Sequence, residues 1–172
     1  MQNAREENVC SLHLSGHGQS KHGFLWLKQG TTDYEKIPVK RVANLLKTES
    51  VGGGGTIESA FLNFCESEKM GKELRVAGVS HVLCWRSEVE DATAHQFALD
   101  FYQTMHQHDP TKPRDYALYK LAFDRAVNKM NDGLGIFEGS VGNKYRHDGA
   151  RDYVCLLSVG GDLFPNTGKV LK

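Results

Sequence analysis

The sequence has no surplus charge and no long apolar run, and each lack removes a class of function. Lysines plus arginines number 21, as do aspartates plus glutamates. No global field therefore draws the chain to nucleic acid or to an anionic membrane surface. No apolar stretch approaches the ~20 residues that span a bilayer. Met1-Gln2-Asn3-Ala4-Arg5-Glu6-Glu7 is charged where a secretion signal needs an apolar core. The four cysteines (Cys10, Cys65, Cys84 and Cys155) show neither CxxC spacing nor the pattern of a small disulfide-stapled domain. Cys10, Cys84 and Cys155 lie in apolar runs and read as small buried hydrophobes of a reducing compartment. The expected location is the cytoplasm. Repeats and low-complexity tails are missing too, and 172 residues suffice for one domain with a real core.

What is present alternates between strand and helix patterns. Val9 to Leu14 reads as a strand with Cys10, Leu12 and Leu14 on one side. Gly23 to Lys28 reads as a short strand closed by a turn at Gly30-Thr31-Thr32-Asp33. Pro38 suits a first helical position, and Val39, Val42, Leu45 and Leu46 recur at helical spacing through Lys47. Gly52 to Gly55 predicts a flexible loop before a strand over Ser59 to Phe64. A short helix from Lys69 ends at Gly78, followed by a strand over Val79 to Trp85. Asp91 can cap a helix whose apolar stripe is Ala94, Phe97, Ala98, Phe101 and Met105. Asp109-Pro110 stops it. A longer helix over Pro113 to Lys129 carries Tyr119, Ala122, Phe123, Ala126, Val127 and Met130 on one face. Gly133 to Arg151 predicts a loop, and Tyr153 to Val159 a last strand. This alternation predicts a three-layer α/β fold with a mostly parallel central sheet, a single domain over residues 1–172.

Two strands run straight into reactive side chains. Leu12-His13-Leu14-Ser15-Gly16-His17-Gly18 delivers His17, and Ala60-Phe61-Leu62-Asn63-Phe64-Cys65 delivers Cys65. The helix between them implies parallel strands, with both side chains at the carboxyl edge of one sheet, where α/β sites form. A thiol beside an imidazole is the minimum equipment for nucleophilic acyl transfer. The glycines around His17 let the backbone turn and approach a ligand, and the Gly18 amide can donate to an oxyanion. Cys65 lies at a helix start, which favours a thiolate, while Glu66 adds an opposing charge. Asp91, after the third strand, is either a helix cap or a pocket carboxylate for a basic P1 side chain. An apolar P1 against Trp85 is the alternative. Metal binding is disfavoured, because His13, His17 and His22 flank helix-breaking glycines and no cysteine pair completes a tetrahedral set. His106 and His108 fare no better. The glycine run lacks the Gly-Lys-Ser/Thr ending of a phosphate loop. No cofactor is expected.

The motifs Leu14-Ser15-Gly16-His17-Gly18, Leu62-Asn63-Phe64-Cys65-Glu66-Ser67, Ala77-Gly78-Val79, Trp85 with Val89-Glu90-Asp91, and Ala94 with Phe97 and Phe101-Tyr102 occur in that order. In this the chain resembles the CHAT domains, caspase-like peptidases of the clan that includes caspases and separase. The ordered motifs run from residue 9 to about residue 130. The resemblance implies a caspase-like sandwich, a His17–Cys65 dyad and an oxyanion hole made by the Gly18 and Cys65 amides. It also implies a cysteine endopeptidase acting on a protein or peptide substrate in regulated, cell-death-like signalling. Family domains begin with further strands, whereas eight residues precede Val9. The expectation is thus the C-terminal part of a peptidase domain, completed by a missing N-terminal segment or a regulatory partner. Many family members have a small residue where Phe64 stands, which alters the wall beside the cysteine. The alternative from another class is an inactive caspase-like interaction module that signals by binding.

Overall fold

The computed structural model describes residues 10–19, 24–29, 33–89, 91–109, 114–132 and 154–163. A four-stranded sheet in the order β1-β5-β6-β7 forms the centre, built from β1 (Ser11–Ser15), β5 (Ser59–Asn63), β6 (His81–Trp85) and β7 (Val154–Ser158). β1, β5 and β6 are parallel, and β7 is antiparallel to β6. A second, antiparallel sheet joins β2 (His17–Gln19), β3 (Phe24–Gln29) and β4 (Asp33–Pro38). The fold is the expected α/β sandwich with a mostly parallel central sheet.

Strand alternation sorts the core into two halves. Leu12, Leu14, Ala60, Leu62, Val82, Cys84, Cys155 and Leu157 face helices α1 (Val39–Glu49) and α2 (Glu68–Val76). Phe61, Leu83, Trp85, Val154 and Leu156 face α3 (Asp91–His106) and α4 (Tyr116–Asp132). Helices α3 and α4 bury the stripes read from the sequence. Phe97, Phe101, Tyr119, Ala122, Phe123, Ala126, Val127 and Met130 all lie in the second half. Met105 of the α3 stripe and Val42 of the α1 stripe are only partly buried, and Leu45, expected on the α1 stripe, is 66% exposed, its place in the core taken by Ala43.

The end of α2 is set by a Schellman motif. The Gly78 N–H donates to the Arg75 carbonyl at 3.0 Å and the Val79 N–H to the Leu74 carbonyl at 3.1 Å. Gly78 stands at φ 100°, a conformation open to glycine, and Val79 packs with Leu74 in the core.

Four expectations change. The run Gly52 to Gly55 is a 3-10 turn (Val51–Gly53) and bend tied to its surroundings, with the Gly52 N–H donating to the Gly78 carbonyl at 3.1 Å. Pro38 ends β4 with ψ 134°, so α1 begins at Val39. β2 and β4 were not anticipated, because their short, polar sequences gain strand character only by pairing with β3. Cys10 is half-buried, while Cys84 and Cys155 are enclosed as a directly opposed pair, Sγ to Sγ 3.2 Å. Gly30 to Thr32, Pro110 to Pro113, Gly133 to Arg151 and Tyr153 lie outside the described residues, as do the calls made on them.

One level of the sheet is polar. Ser11, Ser59, His81 and Ser158 are paired across β1, β5, β6 and β7. His81 Nδ1 and Ser158 Oγ lie 2.7 Å apart, and the imidazole stacks on Tyr119 at 4.0 Å between centroids. Burial, helped by the Arg75 charge and opposed by Asp115, lowers the His81 pKa from 6.5 to about 4. The folded protein thus refuses a proton that the unfolded chain accepts below the ordinary histidine value. The stability held by the neutral ring is complete above about pH 6.5 and is lost as pH falls toward 4. That loss is about 3 kcal/mol for this shift. Urea unfolding across this pH range should show a shallower acid slope in His81→Gln than in wild type; equal slopes would refute the assignment.

Candidate active site

Cys65 stands two residues beyond β5, in the turn that leads to α2. The turn is shaped by Glu66, whose φ of 54° makes it the non-glycine residue in the left-handed region among those described. Such a conformation costs roughly 1 kcal/mol or more and persists only where surrounding contacts over-determine it. Those contacts are present. The Glu66 N–H donates to the Ser87 carbonyl at 2.9 Å. Ser67 Oγ donates to the Leu62 carbonyl at 3.0 Å and accepts the Trp85 N–H at 2.9 Å. Ser67 is 1% exposed, so its hydroxyl is a buried rivet between β5, β6 and the turn. Sequence reading missed it. Its signal was a serine at the helix start, which reads as a cap, yet no side-chain cap bond forms there.

Asn63 braces the same turn from below. Its Nδ2 donates to the Ala94 carbonyl at 3.3 Å, and its Oδ1 accepts from Trp85 Nε1 at 3.1 Å. Trp85 itself is 1% exposed and meets Phe97 edge to face at 5.4 Å. Its indole is a core side chain that orients Asn63, a correction to its expected place on a substrate pocket wall. The residue belongs to β6, where His81, Leu83 and Trp85 all point into the α3–α4 half.

The Cys65 thiol rests on the β6–α3 connection. Sγ accepts the Val89 N–H at 3.3 Å and lies 3.4 Å from the Val89 carbonyl. Among the described residues, the Cys65 N–H has no hydrogen-bond acceptor.

The histidine strand reaches this turn through Gly18. Parallel pairing sets Leu14 beside Leu62 and Ser15 beside Asn63, so both chains leave the sheet at one edge. The chain then passes Gly16 and enters β2, where His17 pairs with Trp26. Gly18 lies directly against the Cys65 carbonyl oxygen and the Phe64 ring. A Cβ at position 18 would come within 2.5 Å of Phe64 Cδ2 and would collide with the Cys65 carbonyl. Only glycine permits this approach. His17, next in the chain, is exposed. Phe64 is 4% exposed and packs into the α1–α2 half beneath Gly18. His13 is not in this group. It stacks on Tyr102 at 5.6 Å and tilts against Phe61 at 4.9 Å, and burial lowers its pKa. His22 lies outside the described residues.

Asp91 is the first residue of α3 and is exposed, two residues after Val89. It occupies the first helical turn, where a carboxylate complements the helix dipole, and the cap position before it falls on Glu90, outside the described residues. Glu68 is neutralised by Lys72 at 2.9 Å and Arg86 at 3.5 Å, whereas Glu88 and Asp91 enter no ion pair among the described residues. The rim beside Cys65 is therefore acidic. No three histidine, cysteine, aspartate or glutamate side chains converge as a metal site among the described residues, and none of the described helices is long and apolar enough to cross a membrane.

The CHAT domain family model matches residues 1–130. The chain belongs to the CHAT domain family. That family is related to caspase-like proteases, and the match covers both the histidine strand and the cysteine turn. No curated protein matches the chain.

Removing the Ser67 hydroxyl orphans the Leu62 carbonyl and the Trp85 N–H inside the protein. Ser67→Ala should lower the unfolding free energy by about 1–3 kcal/mol for each orphaned group, read by urea denaturation. A loss below ~0.5 kcal/mol would mean that the turn is held by its other contacts.

Proposed function

We propose that this CHAT domain is a cysteine endopeptidase that cleaves a protein or peptide substrate with His17 and Cys65. The observation that carries the reading is the packing of Gly18 on the Cys65 turn, which makes the histidine strand and the cysteine turn one surface. The Val89 N–H and carbonyl both meet the sulfur, at 3.3 and 3.4 Å, and hold it on the β6–α3 connection.

In this reading His17 accepts the Cys65 proton as the sulfur attacks the substrate carbonyl carbon. The carbonyl π electrons move onto oxygen, and the amides of Gly18 and Cys65 donate to that oxyanion. His17 then protonates the departing amine as the C–N bond breaks, leaving a thioester on Cys65. Water, deprotonated by His17, attacks the thioester and releases the acid. A rotation about the Cys65 side chain releases the sulfur from Val89 for attack, a small motion that a bound substrate or a regulatory partner can favour. The expected setting is regulated, cell-death-like signalling in the cytoplasm.

Asp91 and Glu88, which enter no ion pair among the described residues, supply the negative charge that a basic P1 side chain would meet, and Asp91 is the residue assigned to that contact. Trp85 serves the pocket indirectly, through Asn63 and the floor of the turn.

Cys65→Ala and His17→Ala should each reduce turnover of a cleavable peptide by roughly a thousandfold or more. Melting temperatures should stay near wild type, because neither substitution opens a core cavity. Wild-type turnover in Cys65→Ala would refute the dyad. Complete lack of thiol labelling by peptide-based acylating probes in the wild type would favour the non-catalytic interaction module.

A peptide panel varied only at P1 tests the pocket. Arginine should be preferred, and Asp91→Asn should weaken that preference by roughly tenfold or more, in keeping with ~1.5–3 kcal/mol for a charge-assisted hydrogen bond. Leucine preferred over arginine, unchanged in Asp91→Asn, would leave Asp91 as a helix-terminus charge alone.

A further inference from the structure

The polar level at the amino end of the central sheet is remote from Cys65 and has no part in the chemistry proposed for it. β1 is five residues long, so its two ends lie ~13 Å apart at ~3.3 Å per residue. Ser59, His81 and Ser158 are buried, and a mostly apolar core would accept hydrophobic side chains at these positions more cheaply. Each nonetheless has a hydrogen-bond partner. Ser59 Oγ donates to Ser11 Oγ at 3.0 Å, and His81 pairs with Ser158. Ser11, which accepts from Ser59, keeps its own O–H to donate outward.

Beyond Ser11 and Ser59 this level opens into a cavity of about 310 Å³. Phe101, Tyr102 and Met105 of α3 form an apolar wall, and Tyr119 and Arg114 close the side toward α4. A cavity of this size with few convergent polar groups fits a small ligand. Arg114 uses one guanidinium nitrogen on Cys10 Sγ at 2.8 Å, and its remaining N–H groups are more numerous than that contact needs. Burial raises the Tyr119 pKa to about 12, so its hydroxyl stays protonated.

We propose that this cavity is a second ligand site that takes a small aromatic carboxylate. The carboxylate lies on Arg114 and Ser11, and the ring lies against Phe101 and Tyr102. Glu58 is an opposing charge in the same region, and its carboxyl feels the Arg114 charge. A cation facing both an internal acid and an open cavity can exchange one partner for the other. The site is independent of the peptidase reading, because none of its residues belongs to the cysteine turn.

Isothermal titration of the full chain with benzoate tests it, with benzamide as the uncharged isostere. Benzoate should bind saturably at one site, with benzamide about tenfold weaker or worse. Arg114→Gln and Ser11→Ala should weaken benzoate, and Glu58→Gln should tighten it. Arg114 and Ser11 are exposed, and circular dichroism would verify that their variants keep the fold. Cys65→Ala should leave the affinity unchanged. Absence of saturable benzoate binding, or equal affinity in wild type and Arg114→Gln, overturns the proposal. Loss of binding in Cys65→Ala would instead relocate the benzoate to the cysteine turn and overturn it as well.

Discussion

Parallel strands bring their carboxyl ends to one edge, and β1 and β5 pair in register from Ser11 beside Ser59 to Ser15 beside Asn63. Everything at the candidate site hangs on that pairing. A slip of one residue would turn Leu12 and Leu14 out of the α1–α2 half and expose them. The alternation of Ala60, Leu62 and Phe64 against Phe61 penalises the same slip on the partner strand. Hydrophobic burial thus sets the register, and the register sets where the histidine strand and the cysteine turn meet. The contact itself is backbone on backbone, Gly18 against the Cys65 carbonyl, and it tolerates no side chain.

The turn is strained and heavily braced, and the two properties belong together. Glu66 adopts a positive φ while Ser67, Asn63 and Ser87 supply fixed hydrogen bonds around it. A nucleophile placed on a loose loop would lose its geometry at each substrate encounter. Here Ser67 is buried, and Ser67 and Asn63 are each bonded on both sides, so displacing the turn would break several bonds at once. Trp85 takes part through its indole N–H, which explains a large aromatic side chain at a strand end close to the site.

The two ends of the sheet differ in chemistry because they differ in what covers them. At the carboxyl end the strands exit into turns that expose Cys65, His17 and an acidic rim. At the amino end Tyr119 lies over the polar level and excludes water from His81, while Ser11 remains open beside the cavity. The buried hydroxyls and imidazole can persist there because each is paired. An unpaired polar group at that depth costs about 1–3 kcal/mol.

Much of the fold was legible in periodicity. The helix stripes of α3 and α4, the strands β1, β3, β5, β6 and β7, and the strand-end positions of His17 and Cys65 follow from local patterns of apolar residues, whereas Leu45 of the α1 pattern faces solvent. These patterns are local because a helix or strand buries one face at a fixed repeat. β2 and β4 were not legible, since three polar residues and a proline-terminated stretch become strands only against β3. The antiparallel direction of β7, the enclosure of Trp85, the first-turn place of Asp91 and the bridging role of Ser67 were likewise decided by tertiary contacts. Sequence alone determined which residues stand at strand ends. The tertiary structure decided which of them meet, because Gly18 and Cys65, like Ser67 and Trp85, are brought together by sheet pairing across long stretches of chain that no local pattern encodes.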